Sequence, residues 1–151
     1  MKDINKVKQG KLNRAHGSDF ERRTRIDLES KGWFASKFQS NVNLEKDKLV
    51  PAKASKFRLA TTGFPDYIAF KRYYYKELDV YRYRLIGVEC KVNGYLSQEE
   101  KAKCIFLIEN FIFSEILIAS KTKEKGKIKI NYKKFNVKNE KQKTNHSKDE
   151  T

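Results

Sequence analysis

The chain is poor in the residues that staple small folds. It has two cysteines, Cys90 and Cys104, and two histidines, His16 and His146, in 151 residues. Two cysteines do not build a disulfide framework. The first residues, Met1 to Arg14, are basic and carry no apolar signal segment. Both thiols are therefore expected to be reduced, in a cytoplasmic protein. The scatter of these four residues fits no structural zinc spacing. Cysteine–histidine nucleophilic chemistry has no local support either, because Cys90 lies in an apolar, strand-like run where an inert thiol is expected. Long hydrophobic runs are missing too. The longest, Cys104 to Ile108, is five residues, far short of the ~20 that a membrane-spanning helix needs.

Acid is also in short supply. There are 19 Asp and Glu against 34 Lys and Arg, a formal net charge of +15. That excludes an acidic substrate mimic and points to an anionic partner, with nucleic acid ahead of an anionic membrane surface. A merely soluble basic protein is the plain alternative.

What is present suffices for one domain with a modest core, since 38% of the residues are hydrophobic. No internal repeat is found. Residues 1–17 read as a flexible basic arm, 18–135 as the folded domain, and 136–151, with Val137 as the one apolar residue, as a disordered tail. A helix is expected from Ser18 to Lys31, with Ser18 as N-cap, Glu21 completing a capping box, and Gly32 ending it. Phe20, Thr24, Ile26 and Leu28 give it a partial apolar face. Trp33 to Phe38 reads as a strand, and 40–62 as a long Lys-rich loop. After the turn Gly63-Phe64-Pro65, a strand opens at Asp66. A Tyr-rich hairpin turns near Glu77 to Asp79 and returns through Arg84 to Lys91. Asn93-Gly94 signals another turn. Ser97 and Glu100 form a Ser-x-x-Glu box that starts a helix running to about Glu109. Strands at Ser114–Ser120 and Ile128–Phe135 complete the series, the last alternating as an edge strand does. The fold class is mixed α/β, one sheet flanked by helices.

Asp66, Glu89 and Lys91 stand out as chemistry. Glu89 and Lys91 are two apart on one strand and share a face. Adjacent strands run about 4.8 Å apart, so a hairpin linking the two segments brings Asp66 and Glu89 within reach of one cation. Mg²⁺ usually takes one or two carboxylates and fills the rest of its shell with water and substrate phosphate. A neighbouring ammonium can orient the attacking water or stabilise developing charge.

Gly63-Phe64-Pro65-Asp66, then 22 residues, then Glu89-Cys90-Lys91 resembles the PD-(D/E)xK nuclease signature. Gly17-Ser18-Asp19-Phe20-Glu21-Arg22 is similar to the first block of archaeal-type Holliday junction resolvases and related small nucleases. The resemblance spans about 17–120. It implies a restriction-endonuclease-like fold, Mg²⁺ dependence with Mn²⁺ as a substitute, and hydrolysis of DNA phosphodiesters. It further implies that Glu21, Asp66 and Glu89 are metal ligands and that Lys91 is the catalytic lysine. Gln98 matches an auxiliary position on the helix that follows. The long 40–62 segment and the Tyr-rich hairpin depart from the resolvase pattern and leave the branched-DNA substrate open.

Each residue has a plainer reading. Glu21 can be only the helix cap, Asp66 an ordinary turn acid, and Glu89 with Lys91 a solvated strand face. The tyrosines of 73–83 serve as strand formers or as a base-stacking wing. Arg22, Lys53, Lys56, Arg58, Arg72 and Arg82 are the expected DNA-contacting cations. A homodimer is expected, using Ile116–Ala119 and the helix Ile105–Ile112 as its surface. Linear duplex cleavage, of restriction or repair type, and non-catalytic nucleic-acid binding are the competing functions.

Overall fold

Helix α1 spans Ile4–Ser30 and buries Phe20, Thr24 and Leu28, which lie four apart on one stripe. Its end is a Schellman motif: Trp33 N–H donates to Leu28 C=O at 3.0 Å and Gly32 N–H to Glu29 C=O at 3.0 Å. Gly32 carries the φ of +82° that this turn requires. The structure, a computed structural model, describes residues 4–53 and 63–146. Strands β1 (Phe34–Lys37), β2 (Ser40–Asn43), β3 (Lys48–Pro51), β4 (Tyr67–Tyr75) and β5 (Val80–Cys90) follow. Next come helix α2 (Gln98–Glu109), β6 (Glu115–Glu124), β7 (Lys127–Lys134) and helix α3 (Val137–His146).

Five strands form one mixed sheet in the order β1-β4-β5-β6-β7, while β2 and β3 pair as a separate hairpin. Within the larger sheet only β5 and β6 run parallel, with α2 as the crossover between them. Alternation sends side chains to two cores. Tyr67, Ala69, Ile86 and Val88 pack with Phe20 and Leu28 of α1. On the other face Ile116, Ile118 and Phe113 pack with Cys104 and Leu107 of α2, and with Val42 and Phe64. The architecture is therefore mixed α/β, a sheet with α1 on one face and α2 on the other.

Several expectations are corrected. Helix α1 starts at Ile4, not Ser18, so Ser18 lies in mid-helix and Glu21 is no capping-box residue. Lys, Gln, Leu and Arg are good helix formers and outweigh Gly10 and Gly17, which cost about 1 kcal/mol each. The arm expected over 1–17 is thus helical from Ile4. Ile26 is exposed rather than core. Residues 40–51 form the β2–β3 hairpin instead of a loop, anchored by Val42 and Leu49 against the α2-side core. The expected tail is helical over Val137–His146, and Glu140 and Lys141 of α3 pair with Lys101 and Glu109 of α2. The strand Ile116–Ala119 is internal, with Ile116, Ile118 and Ala119 buried, so it offers no surface to a second copy. The box at Ser97 and Glu100 forms as expected, with Glu100 N–H donating to Ser97 Oγ at 3.2 Å and Ser97 N–H to Glu100 Oε2 at 2.8 Å. Among the described residues, no helix is long and apolar enough to cross a membrane.

Candidate active site

Asp66 lies in the bend that leads into β4, and Glu89 is the penultimate residue of β5. They sit one residue beyond the Tyr67–Val88 register pair, and each carboxylate accepts a backbone N–H from the other's strand segment. Cys90 N–H donates to Asp66 Oδ2 at 2.8 Å, and Asp66 N–H donates to Glu89 Oε2 at 3.1 Å. Each carboxylate therefore spends one oxygen on positioning, and the second oxygen of Glu89 faces Lys91. Glycines make this packing possible. A Cβ on Gly87, in the strand below, would meet Pro65 Cγ at 2.8 Å, so the Pro65-Asp66 bend can lie against β5 only with glycine there.

Lys91 follows β5 on Glu89's face. Its Nζ is 3.2 Å from Glu89 Oε1 and also pairs with Glu100 on α2. Glu100 thus has two tasks, capping α2 with one oxygen and holding Lys91 with the other. On the opposite flank Glu21, from α1, pairs with Lys37 at the end of β1. Tyr67 O–H donates to the Glu21 carbonyl at 3.1 Å and ties α1 to β4, while Lys37 Nζ sits 4.5 Å from the Tyr67 ring centre.

The electrostatics of this end are dominated by carboxylate crowding. Glu89 is buried, and burial first, then the Asp66 charge, push its carboxyl up to about 8, with Lys91 pulling the other way. Asp66 is also pushed up, by burial first; the Cys90 amide opposes this and Glu21 adds to it. Burial alone would draw the Lys91 ammonium down, but Glu100 and Glu89 more than offset it and the net direction is up. Four carboxylates, Glu21, Asp66, Glu89 and Glu100, interact with two ammonium groups, Lys37 and Lys91. The surplus is negative in an otherwise strongly basic chain. Cys90 is a free thiol whose pKa burial raises, so it remains a positioning amide rather than a nucleophile.

Among the described residues, no three carboxylate, imidazole or thiol groups converge as a ready-made metal cage. The donor set still fits a hard cation. The Asp66–Glu89 pair supplies oxygens only, is partly buried, and is short of positive charge. Mg²⁺ itself ordinarily takes no more than one or two carboxylates. Glu21 reaches Asp66 through its charge while its own carboxylate is held by Lys37.

The expected site residues Asp66, Glu89 and Lys91 are thus brought together, with Glu21 on their flank. Lys37 and Glu100 were not expected there. Glu100 was legible only as a cap, although a box whose glutamate lies nine residues after a site lysine across a tight turn is a usable signal. Lys37, two residues after the buried Ala35, is the charged last residue of β1. Gln98 is an exposed first-turn residue of α2. The expected DNA-contacting cations are dispersed. Arg22 pairs with Asp19 at 2.9 Å, Lys53 is exposed after β3, and Arg72 and Arg82 lie on the Tyr-rich hairpin. Lys56 and Arg58 fall outside the described residues. No family model, no curated protein and no solved structure matches this chain.

Proposed function

We propose that this chain is a metal-dependent endodeoxyribonuclease of the PD-(D/E)xK type that hydrolyses DNA phosphodiester bonds, with branched DNA as its preferred substrate. The observation that carries this reading is the backbone anchoring of both carboxylates at one point, Glu89 by the Asp66 amide and Asp66 by the Cys90 amide, with Lys91 on the same strand face as Glu89. The order α1, β1, β4, β5, α2, β6, with β5 and β6 parallel, supports the restriction-endonuclease-like comparison drawn from the sequence.

Mg²⁺, or Mn²⁺ in its place, held by Asp66 and Glu89 would supply charge neutralisation at the phosphate and a more acidic bound water. The chain's own residues do the rest. Glu89 and Glu100 fix the Lys91 ammonium at the carboxylate pair, where it orients a water and balances the charge that develops on the phosphate. Lys37 holds Glu21 on the far side of Asp66, leaving it available to order a water or to complete the shell. The formal net charge of +15 draws the polyanion in. One chain carries one Asp66–Glu89–Lys91 cluster, so paired incisions call for a homodimer. The reduced cysteines suit an intracellular setting.

Glu21→Gln separates participation from mere structure. The Glu21–Lys37 pair is solvent-exposed in part, so its loss should cost less than about 1 kcal/mol of stability. Cleavage should nevertheless fall by at least about tenfold, the scale seen when groups that orient a metal site are altered. A Glu21→Gln protein that cuts at the wild-type rate removes Glu21 from the site. Substrate choice is read from a panel of four-way junction, flap, nicked and linear DNA, and RNA, each in Mg²⁺. Junction cleavage outpacing linear duplex is expected. Equal rates on both would replace the branched substrate with linear duplex, and cleavage of RNA alone would overturn the assignment to DNA.

A further inference from the structure

The outer half of the β4–β5 ladder extends away from the carboxylate pair, and among the described residues no helix covers it. Alternation puts Phe70, Arg72 and Tyr74 of β4 on one face with Tyr81 and Tyr83 of β5, and Phe34 of β1 is in register with Phe70. These rings form a connected row. Phe34 and Phe70 stack with centres 4.8 Å apart, Phe70 meets Tyr83 edge-on at 6.1 Å, and Tyr74 and Tyr81 are 5.0 Å apart. The Arg72 guanidinium lies over Tyr81 at 4.2 Å and closes the gap in the row. Yet the rings face water: Phe34 is 58% exposed, Tyr81 60% and Tyr83 68%. Aromatic surface in that amount, left wet and ordered by ring–ring contacts, is unusual for a sheet that has two cores to fill.

We propose that this row is a stacking platform for unpaired DNA bases, so that bases opened at the branch of the substrate, or in a single-stranded arm beside it, are held near the scissile phosphate. The choice of DNA rests on the hydrolase reading above; the stacking does not. Three features select the occupant. Of the hairpin's cations Arg72 lies on this face, while the same alternation puts Lys71, Arg82 and Arg84 on the opposite face, where Arg84 pairs with Glu115; Glu77 and Asp79 sit at the tip. The hairpin as a whole is still cationic, with five basic residues to two acids over 71–84, so it attracts a polyanion, and the chain's net charge of +15 opposes a second copy. The rings lie along a strand rather than in a pocket, which suits successive bases of a chain and not one small molecule. A duplex keeps its base faces stacked inside and can offer this row only phosphate, which tyrosine and phenylalanine rings do not need. Phe70 is four residues from Asp66 and Tyr74 eight, or about 13 Å and about 27 Å along an extended strand. At ~3.4 Å per stacked nucleotide the platform begins about four nucleotides from the site.

The test measures binding with chelator present, so that no cleavage occurs and its outcome is independent of catalysis. Anisotropy of labelled oligothymidylate, of a hairpin duplex and of oligouridylate is recorded for wild type, Tyr83→Ala, Tyr81→Ala and Tyr83→Phe. Wild type should prefer oligothymidylate to the duplex. Each alanine variant should lose about tenfold or more on oligothymidylate with the duplex affinity unchanged, and Tyr83→Phe should keep the wild-type value. Equal losses on both DNAs would mean a general electrostatic role and overturn the proposal. A stronger preference for oligouridylate would overturn the choice of DNA. Wild-type self-association in sedimentation that the alanine variants abolish, without loss of oligothymidylate binding, would assign the row to a second copy instead. Photocrosslinking of wild type to oligonucleotides bearing 5-bromodeoxyuridine gives a result that no variant's folding can obscure. Adducts on Tyr81 or Tyr83 support the platform, and adducts elsewhere only would overturn it.

Discussion

Lys91→Ala should slow DNA cleavage by about 100- to 1,000-fold, the loss expected when one preorganised electrostatic stabiliser is removed, and Glu89→Gln by at least as much. DNA binding should survive both, because it rests on cations spread over the surface rather than on this cluster. The two variants should differ in stability. Lys91→Ala leaves Glu89 buried beside Asp66 without its nearest cation, a situation that costs free energy. Glu89→Gln removes one of two crowded carboxylates and keeps the shape. Its amide oxygen can still accept from Asp66 N–H, and Lys91 keeps Glu100. The metal-free Glu89→Gln protein should therefore melt no lower than wild type while failing to cut. That pairing of retained stability with lost activity marks a residue kept for chemistry. A Glu89→Gln protein that both melts lower and cuts normally would return the site to a structural ion-pair cluster.

Gly63→Ala should be the most damaging small substitution in the chain. A Cβ at this position would lie 1.6 Å from the Phe38 carbonyl oxygen and 3.0 Å from that of Ser40. Both neighbours are backbone, so no side chain can swing aside. The segment is fixed on each side, since Phe64 N–H donates to Ser40 C=O at 2.9 Å and Phe38 N–H to Asp66 C=O at 3.1 Å. Relief requires moving the end of β1 away from the bend that carries Asp66. Overpacking of this kind costs about 1–3 kcal/mol when side chains can adjust, and more is expected where only backbone can. Thermal melting and cleavage should fall together, in contrast with Glu89→Gln. A Gly63→Ala protein with wild-type melting would show that the bend accommodates a methyl group and that Asp66 is less tightly placed than its hydrogen bonds indicate.

The sequence made the centre of this molecule legible and its periphery less so. The β5–turn–α2 unit was readable because each signal was local. Leu85 to Val88 is apolar enough for a central strand, Asn93-Gly94 is a turn, and Ser97 with Glu100 is a capping box; all three form. Asp66 and Glu89 could be paired from strand spacing alone, because a hairpin joins them. The start of α1 was misplaced because Ser18-x-x-Glu21 imitates a helix start in the middle of a helix, where preceding Lys, Gln and Arg residues continue the same backbone. Strands β2 and β3 were missed because they are short and polar; Val42 and Leu49 acquire meaning only once the α2-side core exists to receive them. Lys37 shows the limit of reading along the chain. Nothing near it in sequence marks it, and its role comes from Glu21, sixteen residues away on another element.

The most direct test is incision of an end-labelled four-way junction by wild type and by Glu89→Gln purified in parallel, in Mg²⁺ and in chelator. Wild type in Mg²⁺ should cut, chelation should stop it, restored Mg²⁺ or Mn²⁺ should revive it, and Glu89→Gln should stay inactive throughout while still shifting the junction in a gel. Cleavage that persists in chelator, or that Glu89→Gln performs as fast as wild type, would contradict a metal-dependent nuclease centred on Asp66, Glu89 and Lys91.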